Sequence, residues 1–175
     1  VSISLDPRPV QEQHLAELAE LARTAGITVA DTMIQRVAAI HPRHILSKTK
    51  LAELEVLSLH GQASLILFDG ELSPAQLNSL SEITERRVMD RTQLILDIFA
   101  RHAVTKAGKL QVEMAQLQYA LPRLAGRHQS LDRLAGGISG NKGRGETKLE
   151  LERRRIRERI TRIRRELEAL RRQRF

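Results

Sequence analysis

Two apolar seams in one chain limit its fold more than any other feature. Leu96, Ala100, Ala103, Ala107, Leu110, Met114, Leu117 and Leu121 follow in alternating steps of four and three. That heptad spacing keeps one stripe of a helix against a neighbouring helix. A second seam, Leu149, Ile156, Ile160, Ile163, Leu167 and Leu170, follows beyond Pro122. A chain with two seams and one connection satisfies both by folding back on itself. The spacing therefore predicts a long antiparallel two-helix coiled coil over 91–175, with Gly108 as a weak point. Asp90-Arg-Thr-Gln93 and Thr147-Lys-Leu-Glu150 are capping boxes that would open the two helices. Leu121-Pro122 would end the first. From Lys148 to Arg174 the second would be about 40 Å long at about 1.5 Å per residue.

Before Asp90 the pattern is different. Val1–Leu5, Ile27–Ala39, Ala63–Phe68 and Arg87–Met89 are rich in apolar and β-branched residues and are expected as strands. Ala63–Phe68 is a continuous apolar run, as in a strand covered on both faces. Between them, Pro9–Ala25, Lys48–His60 and Ser73–Thr84 have helical periodicity. Gly26 and Gly61 are placed as stops, and Ser73-Pro-Ala-Gln76 forms a capping box. Strands alternating with helices predict a small parallel β-sheet flanked by helices. The expected organisation is an α/β subdomain over 1–90, then a helical hairpin over 91–175 with its loop at about 122–146.

Charge follows the same division. Residues 1–121 hold 12 basic and 14 acidic side chains, a net of −2, whereas 122–175 hold 17 and 7, a net of +10. An anionic partner is therefore expected at one end only. Residues 146–175 carry 11 arginines and one lysine against 6 acids. Arginine favours bidentate phosphate binding, which points to RNA backbone. Glu150, Glu158, Glu166 and Glu168 lie within one turn of several arginines, so part of this surface is salt-bridged and solvated.

Between the seams lies Gly136-Gly-Ile-Ser-Gly-Asn-Lys-Gly-Arg-Gly145. Glycines at 136, 137, 140, 143 and 145 leave the backbone free to approach a surface, and Arg133, Lys142 and Arg144 supply charge. A flexible linker has the same composition. A loop of this length in a compact protein has a function or is disordered. Arg133, Gly136, Gly137, Gly140, Lys142, Gly143, Arg144, Gly145, Arg153, Arg154 and Arg157 are the expected RNA contacts.

Other chemistry is not expected. Asn141 precedes Lys142, Gly143 follows it, and no buried strand leads in, so the segment is not a phosphate loop of the nucleotide-binding kind. The absence of cysteine excludes disulfides and thiolate metal sites and fits a reducing cytoplasm. Aromatics are confined to Phe68, Phe99, Tyr119 and Phe175, too few for base-stacking platforms. The apolar runs are too short to span a membrane. His41 and His44 stand three apart without a neighbouring carboxylate, so no metal is expected. Asp69 and Glu71 read as a polar turn after a buried strand. Catalytic, cofactor and metal residues are all expected to be absent. The chain begins with Val rather than Met, so a fragment or a shifted numbering is expected.

The run Gly136–Glu150, with Asp90–Phe99, Gly108–Leu117 and Arg153–Ile160, resembles the HflX family of ribosome-associated GTPases. The resemblance implies an α/β subdomain and a two-helix coiled coil that precede a GTP-binding domain. It also implies that a cytoplasmic, monomeric protein binds the large ribosomal subunit, with the hairpin loop directed at the peptidyl-transferase region. Some family members split stalled ribosomes in stress. GTP and magnesium would belong to the full-length protein, where the GTP-binding domain becomes an internal partner. This chain has no phosphate loop, magnesium-binding threonine or guanine-specificity motif, so it is not expected to be an enzyme by itself. Ser139 stands where the family pattern has a glycine, and Arg144 where it has a proline. Arg144 adds a charge and removes a backbone restraint. A coiled-coil module that pairs with another protein, or an ATPase built on the α/β body, would be the alternatives.

Overall fold

The computed structural model describes residues 1–39, 45–124 and 142–173, with backbone alone for 142–147. Two compact units divide the chain, Val1–Ile98 and Phe99–Phe175.

The first unit is built on parallel strands. β1 (Ser2–Ser4) pairs with β2 (Ile34–Arg36), and β3 (Leu65–Phe68) with β4 (Arg87–Asp90), both in parallel. Backbone bonds at the edges join the two ladders: the Val1 nitrogen donates to the Leu67 carbonyl (2.7 Å), and Asp69 N–H donates to the Val1 carbonyl (2.9 Å). Four helices accompany the strands: α1 (Arg8–Thr24), α2 (Lys48–His60), α3 (Pro74–Thr84) and the beginning of α4 (Arg91–His102).

Alternation along the strands sends side chains to two cores, so both sheet faces are covered. Ile66, Phe68 and Val88 join Leu54 of α2 and Leu80 of α3 on one face, with Met33, Leu46 and Leu72. Leu65, Leu67 and Met89 meet Leu15, Leu18 and Ala22 of α1 and Leu94 of α4 on the other. The expected small parallel sheet flanked by helices is present.

Each helix end has a local cause. α1 closes with Gly26 at φ +74° and Ile27 N–H donating to the Ala22 carbonyl (2.9 Å), a six-to-one Schellman bond. α2 closes at Gly61, as expected, with Gly61 at φ −77° and Gln62 in the left-handed conformation at φ 48°. Gly61 is closely packed: an added Cβ would sit 3.1 Å from Ala30 Cβ, which would have to give by a few tenths of an ångström. α3 opens on the predicted capping box: Gln76 N–H donates to Ser73 Oγ (3.2 Å) and Ser73 N–H to Gln76 Oε1 (2.9 Å). Ser73→Ala should destabilise the unit by about 1 kcal/mol in urea unfolding. An unchanged midpoint would show that the box is redundant.

Two expectations need correction. Ile27–Ala39 is not one long strand; only Ile34–Arg36 pairs, because β1 offers only three residues to pair with. Upstream, the Asp31 carboxylate accepts Thr32 N–H (2.6 Å), a local bond that competes with a ladder. Nor is the first seam one continuous helix. α4 ends at His102 and α5 runs from Lys106 to Ala120. Thr105 caps α5 by accepting Gly108 N–H (3.0 Å), and Val104 is 86% exposed in the break. Gly108 therefore lies in a capped first turn and is not a mid-helix defect.

In the second unit, a 3₁₀ turn (Leu121–Arg123) follows α5, in agreement with the stop at Leu121-Pro122. α6 (Lys142–Arg172) has 31 residues, about 46 Å at about 1.5 Å per residue.

Candidate nucleic-acid interface

The interface begins with why α6 stands where it does. Ile160 and Ile163 are buried, and Leu149, Ile156, Leu167 and Leu170 are half-buried. The predicted seam is therefore the covered face of α6, and α5 packs against that helix. Leu110 is the buried seam residue of α5. Mean hydropathy around the rest of α6 is low because arginine and glutamate fill it.

One cross-helix pair fixes α5 on α6. Arg159 donates two bonds to Glu113, Nε–Oε1 and Nη2–Oε2, both 2.7 Å, in the fork-to-fork geometry of a strong arginine–carboxylate pair. Glu166 stands 3.9 Å from the same guanidinium. The Arg159 bonds hold the Glu113 carboxyl below its ordinary value of 4.5, against a smaller opposing effect of burial. A depressed carboxyl stabilises the fold above its unfolded value, and that contribution is lost as pH falls through the lower folded value. The melting temperature of the wild type should thus fall more steeply below about pH 4.5 than that of Glu113→Gln. Parallel curves would remove the pair from the stability of the unit. The pair was missed in the sequence. Its signal was the heptad spacing itself, which sets residues 113 and 159 beside their seams.

The expected contact residues fall into three groups. Arg133, Gly136, Gly137 and Gly140 lie outside the described residues. Lys142, Gly143, Arg144 and Gly145 form the first turns of α6, which begins five residues before the expected cap at Thr147. Two helical glycines cost about 1 kcal/mol each, which a long cooperative helix absorbs. The positive end of the helix dipole thus coincides with Lys142 and Arg144, in a first turn without acids. The third group lies further along α6. Arg153 is half-buried at a seam position, Arg154 is 4.0 Å from Glu158, and Arg157 is exposed without an ion-pair partner among the described residues.

The carboxylates of the first unit have structural duties. Asp69 and Glu17 bind Arg91 at 3.2 and 3.1 Å, and His14 Nδ1 is 3.7 Å from Asp69. Glu17 first, and Asp69 with it, raises the affinity of Arg91 for its proton, against partial burial. This matches the polar-turn reading of Asp69. No metal-binding group of His, Asp and Glu occurs among the described residues, and His41 and His44 lie outside them. No helix among the described residues is long and apolar enough to cross a membrane.

Comparison with known proteins gives the family. Residues 12–100 match the family described as GTP-binding GTPase N-terminal, and 102–175 match GTP-binding GTPase middle region. GTPase HflX of Caldanaerobacter subterraneus subsp. tengcongensis is 45% identical over 170 residues, 97% of this chain and 40% of that protein. GTPase HflX of Escherichia coli is 43% identical over 162 residues, 93% of this chain and 38% of its own length. A GTP-binding protein from Sulfolobus solfataricus, solved with GDP, has a TM-score of 0.60 at 21% identity. It matches 97% of this chain with 45% of its own, a likeness of fold. The chain thus spans about 40% of the length of these curated relatives. The sequence of this stretch contains no phosphate loop or guanine-specificity motif. Both regions matched along its length place this chain in the HflX family of GTPases.

Proposed function

We propose that this chain is the ribosome-binding part of an HflX-type GTPase. In this reading α5 and α6 form an antiparallel hairpin whose basic, glycine-rich end contacts large-subunit rRNA near the peptidyl-transferase region. The α/β body, residues 1–90, docks and orients the hairpin, residues 91–175. The contacts are Arg133, Gly136, Gly137, Gly140, Lys142, Gly143, Arg144 and Gly145 at the end, with Arg153, Arg154 and Arg157 behind them. GTP and magnesium belong to the full-length protein, where the state of the bound nucleotide passes through the hairpin to the ribosome. The work done is ribosome splitting or recycling in the stressed cytoplasm, by a monomer.

The observation that carries this reading is α6 itself. Its seam is buried at Ile160 and Ile163 and α5 packs against the helix, which leaves arginine outside, and its positive helix end coincides with the basic glycine segment. Scarce aromatics fit backbone contact rather than base stacking. Chemical probing of rRNA in large subunits mixed with the chain tests the placement. Protection confined to the peptidyl-transferase region is expected. Protection elsewhere, or none at saturating chain, would refute it.

A further inference from the structure

The two flanks of the α6 seam carry different charge patterns. Glu152, Arg159 and Glu166 stand seven apart on one flank. This flank is neutralised within the unit, since Arg159 is bound by Glu113 and lies near Glu166. Arg157, Arg164 and Arg171 stand seven apart on the other flank, after Glu150 at its beginning. All three are exposed, and none joins an ion pair among the described residues. The nearby acids are engaged elsewhere: Glu158 faces Arg154 and Glu168 binds Arg172. On α5 the corresponding positions are Gln111 and Gln118, both exposed and uncharged.

A merely solvated flank would alternate opposite charges, as Glu152, Arg159 and Glu166 do about two turns apart. From Arg157 onward the second flank instead repeats a single sign about every 10 Å along the axis. At that spacing, about one Debye length in 0.1 M salt, the arginines repel one another weakly. They cost the fold little and join no ion pair among the described residues, so what they fit is external. A second copy of the hairpin would set arginine against arginine. A polyanion with regularly spaced charge complements them.

We propose that Arg157, Arg164 and Arg171 form a phosphate-binding ridge, along which RNA backbone lies on one side of the hairpin shaft. The proposal rests on the RNA-binding reading and extends it from the tip to a defined flank. Guanidinium groups suit this role because each grips a phosphate through two N–H donors. Contact is to backbone, so the ridge is indifferent to sequence.

The test uses the 175-residue chain with two triple variants of equal charge. One is Arg157→Gln, Arg164→Gln, Arg171→Gln. The other is Arg155→Gln, Arg162→Gln, Arg165→Gln, from the exposed face away from the seam. Binding to purified large ribosomal subunits, and to a duplex RNA of arbitrary sequence, is measured across a salt series. The slope of log affinity against log salt should shrink by about three for the ridge variant, near one per lost phosphate contact. The control should keep the slope of the wild type. Equal losses in both variants would show an effect of net charge and overturn the ridge. A ridge variant that binds like the wild type would overturn it while leaving the RNA reading intact. A wild type that binds neither probe would end both. Binding of polyglutamate as tight as that of RNA would mark a protein-docking flank and also overturn the proposal.

Discussion

Asp90→Ala should lower the unfolding free energy of the α/β unit by about 2–4 kcal/mol. Asp90 is fully buried as the last residue of β4 and serves two segments at once. Its Oδ1 accepts Gln93 N–H (2.9 Å) in the first turn of α4, and its Oδ2 accepts Leu72 N–H (3.1 Å) in the stretch before α3. Loss of a helix cap costs about 1 kcal/mol. The larger share comes from Leu72, a residue 1% exposed, whose N–H would lose its acceptor in a dry site at about 1–3 kcal/mol. Asp90→Asn keeps one oxygen and the side-chain volume, so it should cost clearly less. Urea unfolding followed by circular dichroism measures both. A loss under about 0.5 kcal/mol for alanine would mean that the carboxyl does not tie the two segments together.

The second large effect concerns function. Lys142→Glu with Arg144→Glu should weaken binding to large ribosomal subunits about 100-fold, or about 2.7 kcal/mol. Two attractions become two repulsions at the point that the proposal sets against phosphate. The same change should not harm the fold. Both positions lie in the first turn of α6, where acidic residues favour the helix dipole by about 0.3–1 kcal/mol. Binding and stability are thus predicted to move in opposite directions. If the melting temperature falls along with the affinity, the loss reflects unfolding. If affinity stays, the tip is not the contact.

The sequence was most legible where one signal decided the structure. Lys48–His60 and Pro74–Thr84 were bounded correctly because capping serines and a first-turn proline mark their starts. β3 was legible because an apolar run before Asp69-Gly70 has few other uses. The second seam was legible because only its spaced Ile and Leu residues could be buried on a helix so rich in arginine.

It failed where two signals competed. Ala103 and Ala107 fit the heptad count, but Thr105 between them is also a good N-cap, and the cap won. Ile27–Ala39 has strand propensity, yet a strand needs a partner of equal length, a tertiary property that local composition does not carry. Gln62 and Glu85 hold left-handed conformations that glycine would be expected to take, so no residue type announced them. At the candidate interface, arginine content was plain, but the division into a neutralised and a cationic flank required knowing that Glu113 meets Arg159. The glycine segment was the strongest motif in the sequence, and its residues up to Asn141 lie outside the described ones.

The most direct test of the central claim is co-sedimentation of this chain with purified large ribosomal subunits over a series of salt concentrations. The account predicts saturable binding at low salt, with log affinity falling linearly as log salt rises, through release of counterions from phosphate. Absence of saturable binding at the lowest salt, or binding that salt does not weaken, would contradict it.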